Sequence, residues 1–455
     1  MNTRDVGAVA LMLVLGLAGT PAYSQHMHEM SPSAPAMEHE AMAQHPLGFP
    51  HGRFGSGTSW LPDATIPRHL MTQAGSWTLM VHGALFAGGI GMNGPRGDEK
   101  FVGPNMIMTM AERGSTSTLW RVSAMFSADA ATVGGAGYPL LFQTGETWNG
   151  APLHDHQHPH NVFSELSVSM TRAAFAGTAL SLYAAPVGEP GLGPPAYPHR
   201  PVGTNDPLAP IGHHWQDATH IAYGVVTAGV ERRTWRVEGS TFNGEEPGED
   251  RAEIRAPEFD SFSGRVSFNP APSWSFQASH GYLHRPEEAH PDHDAWRTTA
   301  SAVWAQPVTG GRSLDLALVW GRNRVDRTDM DSWLIEGEWS HEDALTPFWR
   351  FEYVEKNAKE LVLPASLDPD RILPLRQATL GGVIGLPLRG ALSWGVGAQG
   401  VLSLVPRDLR SVYGDNPGGW AVFLRVRPRA TAHAGHGSHE MHDSSGGMEH
   451  HHGAH

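Results

Sequence analysis

The chain has 455 residues, a formal net charge of −14 with His counted neutral, and no cysteine. Without thiols there are no disulfides and no thiolate metal sites, so any bound metal falls to His, Met and carboxylates; the acidic balance argues against nucleic acid as a partner. Beyond the first residues nothing approaches the roughly 18 apolar residues of a spanning helix, so a place in a membrane has to come from strands.

Residues 1–24 read as a signal peptide. Arg4 precedes an apolar run from Val6 to Ala18, and Ala22-Tyr23-Ser24 sets small residues at the cleavage position. Residues 25–76 are expected to form a periplasmic segment. Its first part carries His26, Met27, His28, Met30, Met37, His39, Met42, His45 and His51, spaced by Ser, Pro, Ala and Glu. That composition lacks the apolar content to pack and predicts disorder over 25–51.

Residues 77–427 carry a period-2 rhythm. Trp235, Val237 and Gly239 alternate with Arg236, Glu238 and Ser240; Trp333, Ile335 and Trp339 oppose Glu336, Glu338 and Ser340; Trp420, Val422 and Leu424 oppose Arg425 and Arg427. Charge on one face in strand after strand suits a wet lumen with lipid outside. Trp77, Trp120, Trp274, Trp304, Trp320, Trp349 and Trp394 recur near strand ends, as interfacial girdles do.

The pattern predicts about sixteen strands, near 77–87, 104–111, 117–126, 162–171, 178–185, 220–230, 234–242, 260–268, 273–283, 296–305, 313–321, 332–341, 347–354, 376–385, 391–400 and 419–427. Short turns such as Glu231-Arg232-Arg233 and Asn269-Pro270-Ala271-Pro272 alternate with longer connections. The fold class is therefore an all-β transmembrane antiparallel barrel in the outer membrane, with both tails in the periplasm.

Within the barrel, His154, Asp155, His156, His158 and His160 crowd a long outer loop, and four His at alternate positions share one face if extended. Two or three of these imidazoles with Asp155 make a divalent metal site. Counted down from Leu166 and Val168, an unbroken strand would turn these His toward lipid, and Pro159 is expected to break that register. His213 and His214, with Asp217 and His220 close by, form a second cluster, and His284 to Asp294 a third. The loops over 133–144 and 185–210 look too rich in structure-setting Gly and Pro to be plain tethers, and either could fold inward to constrict the lumen. Met106, Met108 and Met110 make a stripe that either faces lipid or forms a thioether ladder inside.

Residues 428–455 form a second expected disordered tail, with His433, His436, His439, Met441, His442, Met448, His450, His451, His452 and His455 among Gly and Ser. Nearly half of the 28 His lie in the two tails. Imidazole takes Cu, Zn and Ni, whereas thioether selects Cu(I), so the mixture favours copper over zinc or nickel.

Signal peptide, Met/His-rich N-terminal segment and barrel together resemble the outer-membrane copper-resistance proteins of Gram-negative bacteria, the B component of periplasmic copper-resistance systems. The run Gly137-Tyr138-Pro139-Leu140-Leu141-Phe142-Gln143-Thr144-Gly145-Glu146-Thr147 with its following His cluster resembles a barrel family found near metal-resistance functions. The size and the extra C-terminal His tail depart from the first plan, and neither resemblance carries over a site residue. Copper binding and tolerance, with periplasmic copper-handling proteins as partners, is the leading expectation. A passive porin with incidental His loops stands second. A metal-dependent enzyme stands third, with no nucleophile motif or zinc-hydrolase spacing to carry it.

Overall fold

The computed structural model describes residues 44–288, 292–308, 312–342 and 344–430. The signal peptide lies outside the described residues, as do the tail residues His26, Met27, His28, Met30, His433, His436, His439, Met441, His442, His450, His451 and His452.

Sixteen long strands form a closed antiparallel barrel. They are β1 (Trp77–Met92), β2 (Asn105–Gly114), β3 (Thr118–Phe126), β4 (Phe163–Phe175), β5 (Thr178–Gly188), β6 (Ala222–Arg232), β7 (Trp235–Phe242) and β8 (Ser261–Phe268). The second half comprises β9 (Trp274–Leu283), β10 (Ala295–Val308), β11 (Arg312–Val325), β12 (Thr328–His341), β13 (Leu345–Asn357), β14 (Ile372–Leu386), β15 (Leu392–Leu404) and β16 (Gly418–Pro428). Each pairs with its chain neighbour, and β1 closes on β16, with Leu85 opposite Val426 and Met92 opposite Gly419. A short strand, His69–Ala74, folds back on the start of β1.

The alternation does the sorting. Val122, Leu180, Leu182, Val237, Phe262, Val266, Leu318, Ile335, Phe351, Leu380 and Val422 stand exposed on the outer wall. Their neighbours Arg236, Glu238, Arg265, Glu336, Arg350 and Arg425 are buried on the inner one. An apolar belt around a wall whose strands leave no open edge meets the demand of hydrocarbon that every backbone group be paired. The protein is an outer-membrane barrel.

Short turns join β2 to β3, β4 to β5, β6 to β7 and so on along one rim, while the other rim carries the long loops. One connection breaks the expected alternation. Residues 326–327 alone join β11 to β12 on the long-loop rim, with φ of 49° at Asp326 and 75° at Arg327. Positive φ at both central residues marks a type I′ turn, whose twist matches the flanking strands and lets both continue to the corner.

The lumen is packed instead of wet, correcting the sequence expectation. Three segments enter it. From the short-turn rim come residues 44–68: His45 Nε2 lies 3.1 Å from Glu231, Arg53 Nη1 donates to the Arg233 carbonyl at 2.8 Å, and Trp60 and Leu61 are buried. These residues were expected to hang free. From the long-loop rim come residues 127–162 and 189–221. Leu140, Leu141, Phe142, Leu208, Ile211 and Trp215 pack on the inner-wall residues Phe86, Phe348, Val383 and Phe423. Fully burying such a side chain contributes about 1.5–3 kcal/mol. Lys356 Nζ clamps the first of these loops, donating to the Phe142 carbonyl at 2.7 Å and to Thr144 Oγ1 at 3.0 Å. Wall charges are matched by loop charges: Arg350 donates to Glu336 at 3.0 Å and reaches Asp206 at 3.1 Å, and Arg200 donates to Glu336 at 2.6 Å. Removing one partner of such a buried pair costs about 3–5 kcal/mol.

Candidate metal centre in the lumen

The loop between β3 and β4 does not continue the strand to its His cluster. β4 begins at Phe163 with a register shift before Glu165, while His156–Gln157 pair with Tyr138–Pro139 inside the loop. The parity that would have sent these His to lipid is thereby cancelled, and His158 turns inward. It meets a single helical turn, His213–Gln216, from the loop between β5 and β6. That turn docks on the wall through its backbone. Asn323 Nδ2 donates to the His214 carbonyl at 3.0 Å, and Gly321 leaves room for the Trp215 carbonyl, which a Cβ there would approach to 2.1 Å.

One nitrogen from each of His158, His213 and His214 falls within 4.8 Å of the others, and all three rings are buried. The ring centres of His158 and His214 are 5.4 Å apart and those of His213 and His214 5.1 Å. Each ring spends its Nδ1 on a carboxylate. His158 reaches Glu146 at 3.0 Å, His213 reaches Asp217 at 2.6 Å, and His214 reaches Glu246 at 3.1 Å. This carboxylate–imidazole arrangement fixes ring orientation and raises ligand basicity around bound metals. It leaves Nε2 for a ligand, and the Nε2 atoms of His158 and His214 are buried with no hydrogen-bond partner among the described residues. The cavity they line has a volume of about 10 Å³, room for one water or one ion.

Arginines steady the carboxylates from behind: Arg251 bonds Glu146, Arg200 Nη1 donates to Asp217 at 2.9 Å, and Arg297 lies 3.8 Å from Glu246. Burial pushes the His213 and His214 imidazoles down to about 3, so both rings are neutral and free to ligate at ordinary pH. Burial would raise Asp217 and Glu146. The His213 hydrogen bond and the Arg200 charge hold Asp217 well below the usual carboxylate range, and the His158 hydrogen bond and the Arg251 charge hold Glu146 down to about 2. Glu246 goes the other way, pushed by burial up to about 8; a cation among the three rings would draw it back to the ionised form.

Two further imidazoles extend the cluster. His220 sits 5.0 Å from His213 between ring centres, with its Nε2 also buried and unpartnered. His160 lies 5.6 Å from His220, with Nδ1 at 2.9 Å from Asp129 and Nε2 at 3.2 Å from the Tyr197 hydroxyl. His154, Asp155 and His156 stand apart from the group. Asp155 is taken up structurally: it accepts from Arg96 Nη1 at 2.9 Å and from the Phe142 amide at 2.8 Å. His154 bonds Asp155 at 3.0 Å, and His156 faces Asp98 at 3.5 Å. Of the supporting groups, Glu246 and Asp129 carry no local sequence signal, because each lies far along the chain from the ring it holds.

No family model and no curated sequence matches the chain, so the likeness to copper-resistance barrels has no sequence match behind it. Among solved structures the chain is similar to Salmonella typhi OmpF in complex with daunomycin, with a TM-score of 0.48 and 10% identity over 79% of this chain and 100% of that one. It is similar to the anion-selective porin from Comamonas acidovorans, at 0.45 and 10% over 77% and 99%. It is also similar to the outer membrane channel DcaP of Acinetobacter baumannii, at 0.43 and 8% over 78% and 99%. These are likenesses of barrel shape.

Proposed function

We propose that the protein, an outer-membrane barrel with a packed lumen, takes a divalent metal ion at His158, His213 and His214 and handles metal ions in preference to bulk solutes. The observation that supports it is the convergence of three carboxylate-backed imidazoles, from loops more than fifty residues apart in sequence, on a cavity of single-ion size. Imidazole donors suit copper, zinc and nickel. Copper ranks first because the tails add thioethers, and periplasmic copper-handling proteins are the expected exchange partners. The ends of the described chain lie on the short-turn side: Gln44 lies against Gly114, and Arg429 bonds Ala391.

A passive porin is the second reading, favoured by the girth of a sixteen-strand wall. Purified protein tested for bound metal and for conductance in planar bilayers separates the two. The metal reading expects His158→Ala/His213→Ala/His214→Ala to hold about one equivalent of Co(II) less than the wild type, the tails contributing equally to both, with little conductance. A large ohmic conductance, no metal in that site and no effect of the substitutions would leave the porin.

A further inference from the structure

We infer that the short-turn half of the lumen holds a second, chemically different metal site, which takes a soft monovalent cation, copper(I) by its donors, between the thioethers of Met80, Met110 and Met125 and the imidazoles of His82 and His199.

The wall register assembles the donors. On the inner face of β1 and β2, Met80 lies opposite Met110 and His82 opposite Met108; on β2 and β3, Met108 lies opposite Met125. Directly opposed residues on one face have Cβ atoms about 4.5–5.5 Å apart, so the strands present a lattice of thioethers with one imidazole set in it. Met106, Met108 and Met125 are buried together with Met110 packed against them. The Met stripe therefore looks into the lumen. The inward loop supplies the last donor: His199 Nε2 stands 3.3 Å from Met125 Sδ, and its ring meets that of His82 at 5.1 Å between centres. Met80, Met110, His82 and His199 line a cavity of about 100 Å³, large enough for an ion and its ligands to adjust.

Charge distinguishes this cavity from the tri-imidazole centre. There every ring has its own carboxylate, which suits a divalent ion. Here Glu112 is the one carboxylate lining the cavity among the described residues, and it is engaged by Arg121 at 2.5 Å. Arg68 and Arg427, which also line it, are matched by Glu338 and Glu342, each at 3.2 Å. Neutral sulfur and nitrogen donors in a charge-balanced pocket favour a soft monovalent ion over a hard divalent one. The site stands independently of the tri-imidazole reading.

The test is an anaerobic titration of the full-length protein in detergent with Cu(I) against bathocuproine disulfonate, with Co(II) binding followed in parallel. Met80→Leu/Met110→Leu/Met125→Leu keeps the apolar volume and removes the sulfurs, while the tails contribute equally to both proteins. We expect the variant to lose one tightly held Cu(I) equivalent and to keep its Co(II). Because three lumen substitutions can impair folding, His82→Asn/His199→Asn serves as a second variant with the same expected loss. Unchanged Cu(I) in both variants would overturn the site, as would joint loss of Cu(I) and Co(II) in both. Failure of wild-type protein to bind Co(II), with the Cu(I) equivalent intact, would count against the tri-imidazole centre alone.

Discussion

His213 donates from Nδ1 to Oδ1 of Asp217, four residues further on, at 2.6 Å. The second oxygen of Asp217 accepts from Arg200 Nη1 at 2.9 Å, so the carboxylate that aims the ring is itself fixed from the opposite side. The pair closes the single helical turn that Asn323 and Gly321 seat on the wall.

Replacing that carboxylate should cost metal affinity, while Arg200 keeps Glu336 as its counter-charge. Asp217→Asn keeps the shape and an acceptor but loses the charge that makes the imidazole a strong donor. Loss of such an outer partner typically lowers metal affinity 10–100-fold. Chelator competition with Co(II) checks it, and an unchanged dissociation constant would remove Asp217 from the metal centre.

Gly145 is a steric requirement of the same centre. Its φ is +126°, and a Cβ there would stand 2.4 Å from Cε1 of the His214 ring. Gly145→Ala should displace the ring, reduce Co(II) stoichiometry and destabilise the loop by about 1–3 kcal/mol through backbone strain. Gly150, also at positive φ but with open space around it, is the control: Gly150→Ala should leave metal content unchanged.

Stability should fall between neutral and weakly alkaline pH. Burial pushes Glu189 up to about 8 from 4.5, so between those values the folded state binds more protons than the unfolded one. Unfolding free energy therefore decreases as pH rises through that window. The urea midpoint in detergent should be higher near pH 7, above the titration of unfolded His, than near pH 8.5. Glu189→Gln, which imitates the protonated form, should reduce the difference; an identical pH profile in the variant would refute the assignment.

The tails should differ from the lumen in acid. A peptide of residues 433–455 should bind Cu(II) near neutral pH and release it as pH falls through about 6.5, since exposed imidazoles protonate there. The buried rings of His213 and His214 should retain their ion at pH 5. Simultaneous release from peptide and full-length protein would contradict that ordering.

Strand identity was readable because lipid and lumen sort side chains with period two, as along Ser261–Phe268 and Leu392–Leu404. The turn at Asp326-Arg327 escaped because Asp-Arg lacks the Gly that usually announces a type I′ corner. Residues 44–68 read as part of a free segment because Phe49, Phe54, Trp60 and Leu61 follow no period; their partners are wall and turn residues such as Arg233 and Pro272. His158, His213 and His214 each drew attention by composition. Their meeting did not follow from spacing, since it depends on two loops folding inward and on a register shift at Phe163.

The seam between β1 and β16 joins residues 85 and 426, so the wall can close only when nearly the whole chain is present. Long-range pairing of that kind is the slow event in folding. Until it happens, the apolar faces of Leu140, Leu141, Phe142 and Ile211 have no inner wall to cover them. The order of assembly therefore carries a hazard that an open porin escapes: contents must be gathered as the wall forms, and the unclosed intermediate exposes sheet edges and sticky loops together. Export of this chain to its membrane should accordingly lean on periplasmic holdases more heavily than export of a barrel with an empty lumen.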